Sequence, residues 1–283
     1  MKVIIFGANG MAGHMIALYL MEQGHDVTGF VKCKNNRFPC IEGNAFNTEQ
    51  IREILWTAQY DLAVNCIGIL NKCVDAQLAE GIYINSVFPH LLEEYLAKTD
   101  TKLIHISSDC VFSGKTGHYK ENSCPDAASY YGKTKALGEL LENKSLTFRT
   151  SIVGPELKRD GIGLFHWFMT QSGSVDGYAK AIWSGVTTLE LAKVISDTAE
   201  QKLTGLYHLV NNTTISKYEL LCLFNQYMCK GKKIIHKSTD FENDKSLVDT
   251  RLELMHKIPS YKVMIRELSE WMQQHQDIYH QYF

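Results

Sequence analysis

An α/β fold on a doubly wound parallel sheet, with a small C-terminal α/β lobe, is what the sequence predicts, and three observations predict it. Short β-rich runs alternate with longer amphipathic ones over the first 150 residues, the rhythm of βαβ units with right-handed crossovers. A glycine-rich turn joins the first such run to the first helical pattern. After about residue 151 the rhythm changes: Gly, Ser and aromatic residues become frequent before helical patterns return.

Taken in order, Val3–Phe6, Val27–Val31, Leu62–Ile67, Leu103–Ile106 and Leu146–Phe148 are β-rich and bounded by turn residues, so each reads as a strand. Between them, helical spacing runs over Met11–Gln23, Thr48–Ala58, Asp75–Ala97 and Ser129–Asn143. Pro89 falls inside the third pattern and predicts a kink or break near Val87. Later helices are expected at Thr188–Gln201, Lys217–Met228 and Tyr261–Gln274, the second opened by the capping box Ser216-Lys-Tyr-Glu219. In the last of them Met264, Leu268, Trp271 and Met272 share one face and read as core. The expected division is a Rossmann-type domain over residues 1–150 and mainly a second lobe over 151–283, with the chain free to cross back to the sheet.

Length and charge narrow the classes of function. At roughly 150 residues per domain, 283 residues suit two units or one large one. The formal net charge is −2, so nothing in the overall charge attracts nucleic acid or anionic lipid. With 45% hydrophobic and 21% charged residues, the chain can bury a core. The opening apolar run stops at Gly7, short of the about 7–15 residues of a secretory signal, and no run reaches the about 20 of a membrane helix. Eight cysteines carry no C-x-x-C spacing and read as reduced thiols in a cytoplasmic protein. No metal is expected, because the eleven histidines show no ligand spacing.

The chemistry begins at Gly7-Ala-Asn9-Gly10-Met11-Ala-Gly13. Gly7 suits a tight turn, Gly10 lets the backbone approach a pyrophosphate, and Gly13 permits close helix–strand packing, with free N–H groups at the helix start facing the phosphates. These residues predict a bound dinucleotide. About twenty residues on, where an acid would meet a ribose 2′-hydroxyl, the chain has Lys32 and Lys34 instead. Cations there suit a 2′-phosphate, so NADPH is expected, with NADH the alternative.

Tyr131 and Lys135 are four residues apart within a helical pattern and therefore share a face. A lysine ammonium beside a phenol is expected to favour the phenolate and lower its pKa, and a tyrosine so tuned can protonate a carbonyl oxygen as hydride reaches its carbon. Ser107-Ser108-Asp109 follows a strand, and a hydroxyl at the C-terminal end of a parallel strand faces the ligand crevice. Ser108 is thus placed to hold that same carbonyl. Gly114-Lys-Thr and Gly132-Lys-Thr look like P-loop endings but have Asp109 and Ala127 where the loop needs a further glycine.

With these residues placed, the chain resembles the extended short-chain dehydrogenase/reductase family, and within it the dTDP-4-dehydrorhamnose reductases and related nucleotide-sugar reductases. The resemblance covers essentially the whole chain. It is most specific at Ser107–Phe112, Tyr131–Glu139 and Phe148-Arg-Thr-Ser151. It implies NADPH-dependent reduction of the C4 keto group of a nucleotide-diphosphate 4-keto-6-deoxy sugar, for a surface polysaccharide. It further implies Tyr131 as general acid, Lys135 as its tuner and a ribose ligand, and Ser108 as carbonyl positioner. Cys66, Ile67 and Gly68 match the segment that passes beneath the cofactor. Two departures fall where substrate would be held: Cys110 stands for a usual tyrosine beside Asp109, and Ala181–Thr188 replaces a D-Q-x-G-x-P-T segment. Trp183, within that segment, reads equally as a surface that stacks on the substrate and as a core residue. The partner expected is the nucleotide-sugar substrate, with no nucleic acid or membrane and a homodimer left open. A 4-epimerase holding NAD and a non-catalytic dinucleotide-binding subunit are the competing readings.

Overall fold

The computed structural model describes residues 1–283. Its elements in chain order are β1 (Lys2–Phe6), α1 (Met11–Glu22), β2 (Asp26–Val31), β3 (Cys40–Glu42), α2 (Thr48–Ala58), β4 (Leu62–Asn65), α3 (Asn71–Ala76) and α4 (Leu78–Ile82). A π-helical turn over Tyr83–Val87 leads into α5 (Phe88–Leu96), followed by β5 (Lys102–Ser108), a 3₁₀ turn over Asp109–Val111, α6 (Tyr130–Leu137), β6 (Leu146–Thr150) and β7 (Ile152–Val153). Then come α7 (Leu164–Thr170), β8 (Ser174–Trp183), β9 (Val186–Thr187), α8 (Thr188–Thr198), β10 (Gly205–His208), β11 (Ile215–Ser216), α9 (Lys217–Met228), β12 (Ile234–Asp244), α10 (Tyr261–Gln274) and α11 (Gln276–Tyr279).

Seven strands form one sheet in the order β10-β6-β5-β4-β1-β2-β3, and every pair in it is parallel. The order reverses beside β1, where β2 lies on one side and β4 on the other, and such a switch point opens a crevice at the strands' carboxyl ends. Along β1 the side chains alternate between layers. Val3 and Ile5 join the larger core, with Met15, Ile16, Leu191 and Ile195, whereas Ile4 and Phe6 join the second, with Ile51, Leu55, Phe88 and Leu92. A strand buried on both faces reads as one continuous apolar run, which is why β1 is legible in sequence. Helix α1 is buried around most of its circumference because it sits between the sheet and α8.

The Pro89 break takes the form of the π turn ending at Val87, with Pro89 in the first turn of α5, where its missing N–H costs nothing. Helix α6 is shorter than its sequence pattern. It ends at Leu137 with Gly138 as its cap, where a Cβ would stand 1.9 Å from the Asn85 carbonyl oxygen. The chain crosses back: α8 packs on α1, and β10 adds to the sheet beside β6. The lobe carries its own sheet, β11-β8-β12, and β12 is largely solvent-facing.

The C-terminal residues close onto the first helix. Tyr279 and His14 are both fully buried, and the Tyr279 hydroxyl lies 3.2 Å from His14 Nε2, while His14 Nδ1 donates to the Gly10 carbonyl at 2.8 Å. Burial holds His14 neutral, down to about 4. No helix is long and apolar enough to cross a membrane.

Candidate active site

The crevice at the switch point is built on glycines. Gly7 turns the chain at φ 81°, a conformation few side chains tolerate, and its N–H is held by the Phe30 carbonyl at 3.0 Å. A Cβ on Gly13 would stand 2.3 Å from the Gly7 carbonyl oxygen, so α1 can approach the turn only with glycine there. Gly10 caps α1 without any side-chain acceptor, which leaves the first N–H groups of the helix, from Met11 onward, to an outside anion. The segment after β4 forms the floor: Ile67 and the Cys66 carbonyl carbon lie 3.0–3.2 Å from a Cβ built on Gly7. Asn65 Oδ1 accepts the Ile67 N–H at 3.1 Å. Asn85 brackets Ile69, and Gly68 lies against it. These features fit a pyrophosphate cradle.

Asn9 is tied to the loop after β2, donating to the Cys33 carbonyl at 2.8 Å and accepting from Asn35 at 2.7 Å. Lys32 and Lys34 stand exposed in that loop. Arg37, which sequence spacing does not single out, lies near enough for its charge to act on buried His14, so three cations border this side of the cradle. A sequence search confined to the first few residues after the strand passes over it.

Ser108 ends β5, and Tyr131 lies in the first turn of α6. Their meeting depends on Gly132, where a Cβ would stand 2.1 Å from the Cys110 carbonyl oxygen, so the first turn of α6 lies directly on the 3₁₀ turn. Ser129 fixes the start of α6 by accepting the Gly132 N–H at 3.1 Å. The Ser108 hydroxyl accepts the Cys110 N–H at 3.1 Å and donates to Asp109 Oδ1 at 3.2 Å. Tyr131 is 8% exposed and Lys135 4%.

Lys135 donates to the Ile106 carbonyl at 2.7 Å. Because Asn65 Oδ1 is already taken by Ile67, its amide nitrogen donates to His105 Nδ1 at 3.1 Å, leaving the ring proton on Nε2, 3.5 Å from Lys135 Nζ. Burial, helped by the Lys135 charge, holds His105 well below the ordinary imidazole range. Burial also brings Lys135 down to about 8, against the pull of Glu139 and Cys66, and pushes the Cys66 thiol up to about 12.

The expected lowering of Tyr131 is not what the structure gives. Burial pushes its pKa up, assisted by Cys110 and Asp109, and the hydroxyl of Ser108 only partly offsets this. Lys135 is not among the groups that move the phenol, and desolvation decides it. A phenol is protonated at neutral pH at its ordinary pKa, and burial makes its ionisation harder still.

Asp109 is buried, and that burial raises its pKa against the charges of Lys245 and Lys217. Burial and the Asp109 charge raise Cys110 to about 11, so the thiol is no nucleophile. Trp183 is 5% exposed, packed on Tyr261 at 5.6 Å between ring centroids and within the larger core. Behind Ser108, Ser107 donates to Glu139 Oε1 at 2.7 Å. Glu139 pairs with Arg149 at 2.5 Å, their side chains 3% and 2% exposed, and Arg149 NH1 meets His208 Nε2 at 3.0 Å.

The RmlD substrate binding domain family model matches residues 1–245. A probable low-salt glycan biosynthesis reductase, Agl14 of Haloferax volcanii, is 31% identical over 144 residues, covering 49% of this chain and 48% of that protein. The chain thus matches about half the length of that relative. Methionine adenosyltransferase 2 subunit beta of Xenopus laevis is 25% identical over 238 residues, 78% of this chain and 70% of that one. The fold is shared with a dTDP-4-dehydrorhamnose reductase from Bacillus anthracis in complex with NADP, at a TM-score of 0.81 and 21% identity, covering 95% of this chain and 99% of the other. With a parallel sheet, a glycine cradle and a Ser108–Tyr131–Lys135 cluster in one crevice, the chain belongs to the RmlD substrate binding domain family.

Proposed function

We propose that this protein is an NADPH-dependent reductase acting on the C4 keto group of a nucleotide-diphosphate 4-keto-6-deoxy sugar, in the assembly of a polysaccharide. The observation that carries the proposal is the meeting of the buried Tyr131 phenol, the Ser108 hydroxyl and the Lys135 ammonium at the carboxyl end of β5. The cofactor's nicotinamide supplies the hydride. Gly7, Gly10, Met11 and Gly13 would hold its pyrophosphate, Cys66, Ile67 and Gly68 would line its floor, and Lys32, Lys34 and Arg37 favour a 2′-phosphate.

Ser108 has one proton, shared with Asp109 in this structure, and rotation of the hydroxyl redirects it to a carbonyl oxygen. Tyr131 then donates its own proton to that oxygen as the carbon is reduced. Lys135 stays anchored on Ile106 one helical turn away, its remaining protons within the crevice. Asp109 and Cys110 flank the ring. Trp183, with its indole in the core, is given no substrate role. Eight free thiols support a reducing, cytoplasmic setting.

The similarity to a methionine adenosyltransferase subunit favours a second reading, a dinucleotide-binding subunit without turnover. The test is NADPH oxidation by purified protein with dTDP-4-keto-6-deoxy sugars, with and without a 3,5-epimerase, and with UDP-linked 4-keto sugars. Oxidation with any of them supports the reductase; NADPH binding without oxidation across the panel overturns it and favours the subunit.

A further inference from the structure

Resting on the nucleotide-sugar reading, we propose that Lys245 is a binding residue for an acidic group of the substrate, and that the small side chain of Cys110 makes the room it occupies. Lys245 follows β12, and its ammonium reaches the 3₁₀ turn that follows Ser108. Its ammonium makes one hydrogen bond, a weak one to the Cys110 sulfur at 3.5 Å, and takes part in none of the protein's ion pairs. An ammonium has three donors, and with one weak sulfur acceptor the half-buried Lys245 keeps donors to offer a ligand. Cys110 in turn donates its N–H to Ser108 Oγ, so the cation stands one side chain from the hydroxyl proposed to hold the reacting carbonyl.

The backbone under Lys245 is fixed on both sides. Asp244 N–H donates to the Gly114 carbonyl at 2.9 Å, and Tyr119 N–H to the Ser246 carbonyl at 2.9 Å. His118 N–H donates to Ser246 Oγ at 2.8 Å, and Leu247 N–H to Ser184 Oγ at 2.7 Å. Gly117, at φ 67°, lies so close to Asp244 that a Cβ would stand 2.3 Å from its carboxylate. The backbone that carries Lys245 is therefore fixed before any ligand arrives, which lowers part of the ordering cost of binding. Lys217, also without an ion pair, acts with Lys245 on the buried Asp109 carboxyl, so two cations and one carboxyl share this side of the crevice. An anionic oxygen, from a nucleoside diphosphate or from a carboxylate on the sugar, is the ligand this charge fits.

The test is titration calorimetry on protein saturated with NADP⁺, using dTDP, UDP-glucose and UDP-glucuronate against wild type, Lys245→Gln and Lys245→Arg. The expected result is a loss of roughly tenfold in Lys245→Gln, the size of one charge-assisted hydrogen bond, with affinity kept in Lys245→Arg and NADP⁺ binding unchanged. Loss for all three ligands identifies the diphosphate; loss for UDP-glucuronate alone identifies a carboxylate on the ring. Cys110→Tyr, which refills the space, should reproduce the loss. Nucleotides bound equally by wild type and Lys245→Gln would overturn the inference and leave the nucleotide-sugar reading standing. A wild type that binds NADP⁺ but none of the three nucleotides would overturn both.

Discussion

Gly13 and Gly7 touch: a methyl group on the first would stand 2.3 Å from the carbonyl oxygen of the second. No side-chain rotation relieves that contact, because both partners are backbone. Gly13→Ala is expected to cost about 1–3 kcal/mol, the range for overpacking, and to weaken NADPH binding further by displacing α1 from the turn. Urea denaturation and nicotinamide fluorescence measure the two effects separately.

Tyr131→Phe removes the one proton poised for the carbonyl and leaves the ring in its buried site. Turnover should drop by about 10²–10⁴, the usual worth of a general acid, with NADPH affinity intact. Equal loss of cofactor binding would show that the hydroxyl serves the cradle instead.

Lys135 loses its proton near pH 8, whereas burial holds the Tyr131 proton beyond its ordinary range. kcat/KM for the reduction should therefore fall as pH rises through about 8. Lys135→Arg, always charged, should remove that inflection at whatever activity it retains. A descending limb unmoved in Lys135→Arg would assign it to another group.

Arg37 acts on His14 from the loop beside the cradle. Arg37→Ala should weaken NADPH by about tenfold, one charged hydrogen bond, and leave NADH nearly unchanged. Paired dissociation constants for the two dinucleotides decide it.

His256 lies between two carboxylates, 2.8 Å from Glu190 and 2.6 Å from Asp197. Those hydrogen bonds, Glu190 first, raise its pKa. A raised folded-state pKa stabilises fully below the unfolded value, about 6.5, and that stability is lost as pH rises through the folded one. The Tm difference between wild type and His256→Gln should be largest near pH 6 and shrink toward pH 9. A difference independent of pH would mean that the contact is packing rather than charge.

Much of this was readable beforehand, for physical reasons. β1 and the glycine turn announce themselves because an apolar run buried on both faces, followed by glycines at close approaches, has few alternatives. Helix α10 matched its expected limits, Tyr261–Gln274, since its apolar face is undiluted. The small strands were not legible: β12, Ile-Ile-His-Lys-Ser-Thr-Asp-Phe-Glu-Asn-Asp, is mostly exposed and lacks the alternation that marks a half-buried strand. The close approach of Gly138, the cap of α6, to Asn85 joins residues more than fifty positions apart, which no local pattern encodes. The direction of the Tyr131 shift was missed for a related reason: i,i+4 spacing reveals the lysine but not the depth of burial, and depth decides.

The contact between His14 and Tyr279 spans 265 positions of chain, and it fixes when the molecule can be finished. During synthesis the first helix emerges early, yet the hydroxyl that meets His14 exists only once the ribosome has passed residue 279. Until then the rear of the glycine turn is packed against nothing from the C-terminal segment, and β6, already paired with β5, lacks its outer neighbour β10 until residue 208 is made. A nascent chain carrying every residue of the crevice is thus an incomplete binder. Long-range closure of this kind is slow, and it exposes apolar surface to chaperones in the interval.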